Sequence, residues 1–472
     1  MNQSQSGDGG ISWPDYAAVR RWHFYAGLIC LPFFCWLAIT GSVYLFRPDI
    51  DSLLDRPYEG LRLDGPRATP SSEARAAVVA VPGSVFSRYE PPETPTGAAQ
   101  IVVANNGLLF RVYIHPVTLQ ALSIVQDDHR FMQLIAHLHG QLLFGNFGSM
   151  IVELVGSWGV VMILTGLYLW VPRGTWRLGG FLYPRLGQRG RLFWRDLHSV
   201  TGLWVSLVTL FLLLSGLPWS VNWGNYLTWV RNHWAVTAGT PDWPIGGKEP
   251  IPRIITPSSS ITPNNSMPGM TTPEMAAMSK SAAQTTQPER LGLDLQALDT
   301  VVPVAARLHV PRPVYILPPS KGTRYWTISS QIQNRPLRVM YAVAPDSGEV
   351  TASSGFADQN IIDKVVNVMV AMHEGQFFGR INQAILLLTA AGLLLVSISA
   401  AVMWWVRRPA HTLGAPLPAA RPHFSVLLSI SVAVLSLLLP LFGLSLLLVL
   451  ALDRYLLQRL PTAQRWLGLG PS

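Results

Sequence analysis

The chain has 472 residues, 49% apolar and 13% charged, with 35 basic against 26 acidic side chains and a formal charge of +9. Soluble domains carry about 25% charged residues, so this composition argues against a cytosolic enzyme and against a nucleic-acid binder and points to lipid as the solvent. Two cysteines, Cys30 and Cys35, can supply neither a disulfide framework nor a four-thiolate metal centre.

Residues 1–21 form a short N-terminus ending in Arg20 and Arg21, and 22–46 is the first apolar stretch long enough to cross a bilayer. With basic residues before it and no small-residue cleavage site after it, this stretch is expected to be a retained signal anchor with a cytoplasmic N-terminus. Residues 47–148 form a long connection of short strands and turns, followed by a second span at 149–171. The loop 172–198 carries Arg173, Arg177, Arg185, Arg189, Arg191 and Arg195 against the single acid Asp196, which assigns it to the cytoplasm. A third span follows at 199–220, then a second long connection at 221–380, a fourth span at 381–406 and a basic loop at 407–423. Both long connections then face the periplasm or the outside. The stretch 424–452 is divided by Pro440, so a re-entrant hairpin is preferred there over a single fifth span, and 453–472 is the tail.

The chain repeats itself. His23 is followed by Gly27 and by Thr40-Gly41, and His198 by Gly202 and Ser215-Gly216, at a constant offset of 175. His139 and His373 each open the pattern His-x4-Phe-Gly, each with a Trp 31 residues on (Trp170, Trp404) and an Arg three further (Arg173, Arg407), at an offset of 234. The expected fold class is therefore an α-helical transmembrane bundle of two parallel repeats, each a helix, an extracytoplasmic module and a helix, related by a pseudo-two-fold axis along the membrane normal. The second module is longer because of an insertion at 240–292, rich in Pro, Ser, Thr and Met.

On this topology His23 and His198 sit at the cytoplasmic ends of spans one and three, and His139 and His373 just before spans two and four on the opposite side. Two imidazoles facing each other at one depth suit an iron porphyrin, which takes an axial nitrogen from each side. The alternative is that these residues belong to a structural repeat core. The glycines after His23 and His198 would let helices approach closely or leave room for a flat macrocycle, and Arg20, Arg21, Arg195 and Arg380 are candidates to pair with propionates. His137 has no counterpart, because Ala371 occupies the equivalent place. Glu153, inside the second span, either handles a proton or faces headgroups as an interfacial acid. Met267, Met270, Met275 and Met278 in the insertion are soft donors for a cation such as Cu(I), or simply part of a ligand-free loop. The chain has no dinucleotide fingerprint, no P-loop and no Cys-x-x-Cys-His haem attachment site.

The motifs Arg21-Trp-His23 with Thr40-Gly41, Leu138-His139-Gly140, Gly166 through Trp170-Val-Pro-Arg173, Leu197-His198 with Gly202, and His373-Glu-Gly resemble the PepSY-associated transmembrane family over about residues 20–408. That family, often labelled iron-regulated membrane proteins, includes ferric-siderophore reductases of the bacterial inner membrane. The resemblance implies two b-type haems held by His23 with His198 and His139 with His373. It further implies small α+β PepSY-like modules in the periplasm, and an electron path from a cytoplasmic-side or quinol donor to a ferric siderophore or other Fe(III) chelate. A membrane-anchored PepSY binding protein without redox activity and a haem or metal transporter are the rival expectations.

Overall fold

The computed structural model describes residues 16–172, 178–234, 293–320, 322–416 and 426–468. The four Met residues of the insertion, Arg173, Arg177 and Arg421 lie outside the described residues. The chain divides into two compact units, a helical one from residues 1–50, 131–251 and 360–472, and a sheet unit from 51–130 and 252–359.

The helical unit contains α1 (Tyr16–Tyr44); the sheet unit takes in most of α2 (Arg47–Asp55) and all of α3 (Pro70–Ala80). The helical unit continues with α4 (Phe131–Gln141), α5 (Gly145–Trp170), α6 (Arg191–Gly216) and α7 (Val221–Trp234). After α8 (Leu298–Arg307) of the sheet unit come α9 (Ile361–His373), α10 (Arg380–Arg407), α11 (Val426–Leu438), α12 (Pro440–Tyr455) and α13 (Pro461–Leu467). Among the described residues five helices are long and apolar enough to cross a membrane: Tyr16–Tyr44, Gly145–Trp170, Arg191–Trp219, Arg380–Arg407 and Pro440–Arg459. The protein is a multi-pass membrane protein. Helix α6 packs along α10, α1 lies against α5 and α10, and α5 also meets α6.

Sequence boundaries at 47–148 and 221–380 place α4, α7 and α9 in the extracytoplasmic modules, whereas the structure places them in the helical unit. These helices are too short to span, yet each carries an apolar face; Met132 and Ile135 of α4 and Val370 and Ala371 of α9 are buried. The two His-x4-Phe-Gly motifs end in glycines with positive φ, Gly145 (55°) and Gly379 (59°), which turn the chain from α4 into α5 and from α9 into α10. A side chain at either place would strain the left-handed backbone.

The apolar stretch near the C-terminus breaks at Pro440, as its composition predicts. Leu413 N–H donates to Trp466 O (2.9 Å), and Arg21 donates to both Pro416 O (3.3 Å) and Gly468 O (2.8 Å), so the loop after α10 and the end of α13 meet at Arg21. The junction of α11 and α12, Leu439 to Phe442, is buried against Val160 and Leu217, and Trp158 of α5 donates its indole N–H to Ser445 Oγ (3.0 Å). The thirteen residues of α11 reach only about 20 Å, less than the hydrocarbon thickness. The two helices pack against each other on either side of the Pro440 break.

The sheet unit is one sheet of eight antiparallel strands in the order β4-β3-β2-β1-β5-β6-β7-β8. The strands are β1 (Val85–Glu90), β2 (Ala99–Asn105), β3 (Leu108–Ile114), β4 (Ala121–Gln126), β5 (Val314–Leu317), β6 (Trp326–Ser330), β7 (Val339–Val343) and β8 (Val350–Gly355). Two four-stranded meanders meet where Tyr89 of β1 stands opposite Ile316 of β5. The sequence suggests two separate modules; in the structure they share one ladder. Alternate residues such as Tyr89, Ile101, Val112, Ile316 and Ile328 bury against Ala77 of α3 and Val301 of α8 to form the core.

Candidate cofactor sites: two pairs of histidines

Within the helical unit His23 of α1 faces His198 of α6, with ring centroids 6.4 Å apart and planes at 81°. Two imidazoles bound to one metal through bonds of about 2 Å have centroids about 6 Å apart, so this gap has the width of a bis-imidazole site. His23 Nδ1–H donates to Met162 O (3.1 Å) and lies 3.1 Å from Thr165 Oγ1, both on α5. His198 Nδ1–H donates to Val396 O (3.0 Å) and lies 3.4 Å from Ser399 Oγ, both on α10. Met162 and Val396, and Thr165 and Ser399, stand at the same offset of 234 noted above.

At the other end of the same helices, His139 of α4 places Nδ1 2.9 Å from Thr40 Oγ1 of α1. His373 of α9 places Nδ1 2.8 Å from Ser215 Oγ of α6. Burial lowers His139 to about 4 and, with the His139 ring adding to the effect, His373 to about 3, so both imidazoles are neutral near pH 7. Trp219 stands edge-on to His373 at 5.7 Å. From His23 to Thr40 is 17 residues of α1, a rise of about 25 Å, which separates the two sites along the helix axis.

All four rings therefore have Nδ1 engaged on a neighbouring helix. At His23 and His198 the partner is a main-chain carbonyl, which can only accept, so the proton there lies on Nδ1 and Nε2 keeps the lone pair that a metal takes. Room for the rings comes from small residues. A Cβ at Gly166 would come within 3.1 Å of His23 Cε1, one at Gly41 within 3.1 Å of His139 Cε1, and one at Gly216 within 3.5 Å of His373 Cε1. Gly41 and Gly216 thus leave room for the imidazoles of His139 and His373. At Gly27 and Gly202 a Cβ would meet only side-chain atoms at 3.7 and 4.0 Å.

The remaining candidates are placed differently. Arg195 is ion-paired with buried Asp196 (2.8 Å), which also holds Arg185 (2.6 Å). Arg380 bonds Asp49 through both terminal nitrogens, at 2.9 and 2.7 Å. Arg21 is occupied by the loop carbonyls described above. Glu153 is buried: its Oε2 accepts Asn222 N–H (3.1 Å), while Ser149 Oγ accepts Val221 N–H (3.3 Å). Together they cap the N-terminus of α7, where a negative charge is favourable. Among the described residues the His137 ring makes no hydrogen bond, and no cluster of three or more His, Cys, Asp or Glu could hold a bare metal ion.

A family model described as PepSY-associated TM region matches residues 20–407, more than half of the chain and all four histidines. The chain belongs to this family. No curated protein matches it. In this PepSY-associated TM protein the residues that sequence patterns left out are Thr165, Ser399 and the carbonyls of Met162 and Val396. Their signal was a hydroxyl followed by a small residue, Thr165-Gly166 and Ser399-Ala400, the same pairing as Thr40-Gly41 and Ser215-Gly216.

Proposed function

We propose that this chain is a di-haem reductase of the bacterial inner membrane that reduces a periplasmic ferric siderophore or other Fe(III) chelate and releases Fe(II). The observation that carries the reading is the His23–His198 pair, two imidazoles at metal-bridging separation with Nε2 free on each. Two nitrogens complete the coordination of a metal whose other four ligands come from a macrocycle, so a porphyrin suits this donor set. His139 and His373 would hold the second group, about one span away. When bound, haem supplies the one-electron carrier that takes an electron from a cytoplasmic-side or quinol donor and delivers it to Fe(III). The protein's own part is to fix four imidazoles in α1, α4, α6 and α9 and to keep them apart along α1 and α6. The two halves are read as parallel repeats whose α+β portions are PepSY-like modules facing the periplasm.

The test is purification from cells supplied with haem. Two haems per chain, reduced by dithionite and reoxidised by a ferric siderophore, are the expected result. His139→Ala or His373→Ala should each remove one haem, and His137→Ala neither. Protein that stays haem-free under these conditions overturns the reading in favour of a membrane-anchored binding protein. Haem that crosses the membrane in vesicles without any reoxidation by the chelate would instead indicate a transporter.

A further inference from the structure

Each of the four histidines sets Nδ1 against a hydroxyl on a neighbouring helix that is followed in sequence by a small residue. The seats are Thr40/Gly41, Thr165/Gly166, Ser215/Gly216 and Ser399/Ala400, and at His23 and His198 a carbonyl three residues before the hydroxyl, Met162 O and Val396 O, joins them. Each hydroxyl already spends its proton on its own helix. Thr40 donates to Trp36 O (2.8 Å), Thr165 to Val161 O (2.8 Å), Ser215 to Phe211 O (2.7 Å) and Ser399 to Val396 O (2.9 Å). What each oxygen can offer the imidazole is therefore a lone pair.

We infer that Thr40, Thr165, Ser215 and Ser399 are positioning residues, which hold each imidazole as the Nδ1–H tautomer, turn Nε2 toward the metal and raise its basicity. The identity of the metal group rests on the di-haem reading, whereas the tautomer rests on the hydrogen bonds alone. A ring that donates from Nδ1 is a stronger electron donor at Nε2, which favours the ferric state and lowers the potential. The two sites use the seat differently. At His139 and His373 the hydroxyl is close, at 2.9 and 2.8 Å. At His23 and His198 it is farther, at 3.1 and 3.4 Å, and the carbonyls at 3.1 and 3.0 Å share the ring proton. Removing a hydroxyl should therefore disturb the His139/His373 site more.

Spectroelectrochemical titration of the purified holoprotein tests this. Thr40→Val and Ser215→Ala should each shift one of the two haem potentials upward with both haems retained. Thr40→Ser should restore the original value, and Ser399→Ala should give a smaller upward shift in the other haem. In parallel, nitrogen-15 NMR of ring-labelled histidine in the haem-free full chain should find the Nδ1–H tautomer, and Thr40→Val should mix the tautomers at His139. Unchanged potentials together with unchanged tautomers would overturn the inference. Should the wild-type chain bind no haem, the di-haem reading fails, while the NMR measurement still decides whether the hydroxyls set the tautomer.

Discussion

Gly41 and Gly166 are the places where a single added carbon meets a candidate ligand, at 3.1 Å in both cases. Gly41→Val should push the His139 ring off its seat and cost one haem, and Gly166→Val should do the same at His23 and cost the other. Gly156→Ala is the control inside α5, because its Cβ would meet only Leu213 Cδ2 at 4.0 Å. Absorbance per chain of the three purified variants checks this; loss of haem from Gly156→Ala or full occupancy in Gly41→Val would count against the seats. The histidines themselves were legible because a repeat singled out four of eleven. The hydroxyls were not, since Ser and Thr recur throughout apolar helices, where back-bonding to the preceding turn satisfies them without any partner. The partner of Glu153 was not legible for a related reason: the N–H it accepts belongs to Asn222 of α7, 69 residues on in sequence, and nothing local announces it.

Among the secondary-structure elements, strands β1 and β3 carry the most demanding electrostatics. Arg88 and Glu90 of β1, Arg111 of β3 and Asp127 form a buried network, with Arg111 1% exposed and bonds of 2.6 to 2.9 Å. Burial alone would raise both carboxyls, but the Arg111 and Arg88 guanidiniums outweigh it, holding Glu90 below its ordinary value and Asp127 down to about 2. A carboxyl lowered on folding stabilises the fold above its unfolded pKa and loses that contribution as pH falls toward the folded one. The sheet should therefore weaken between about pH 4 and pH 2, seen as loss of its infrared amide band on acid titration. A flat response across that range would contradict the network's role. Asp127→Asn leaves two buried guanidiniums short of a partner and should cost about 3–5 kcal/mol, read as a lower melting temperature. Asp49→Asn, at the exposed Arg380 pair, should leave the melting temperature nearly unchanged. That the connection holds short strands and turns could be read from the sequence. The β1–β5 junction could not, because which edges meet is decided by the packing of α3 and α8 over both halves and leaves no mark on either strand alone. Trp170 and Trp404 fall between these cases: their spacing marked them, and the structure gives the reason, since each donates its indole N–H to a loop carbonyl, Phe181 O at 3.0 Å and Leu413 O at 2.9 Å.

For the whole molecule, the arginine-rich loops predict the orientation of the chain, and the contacts of Leu413 with Trp466 and of Arg21 with Pro416 and Gly468 predict a tail on the same side as the loop before α11. Cysteines placed at Gln188 and Thr462 should both react with a membrane-impermeant thiol reagent only from the cytoplasmic face, and one at Gln120 only from the other. Labelling of Thr462→Cys from the same face as Gln120→Cys would turn the hairpin into a fifth crossing. The long apolar stretches were readable because lipid imposes a length on any helix that crosses it. The attachment of α4 and α9 to the helical unit was not, because a short amphipathic helix scores alike whether its apolar face meets a sheet, a bundle or water. The palindromic strand order carries a further consequence. A sheet that ended at β1 would present a row of unpaired amides there, open to any passing extended chain, and likewise one that began at β5. By placing these two strands against each other, each half conceals the sticky margin of its sibling, so neither should remain soluble when produced without the other.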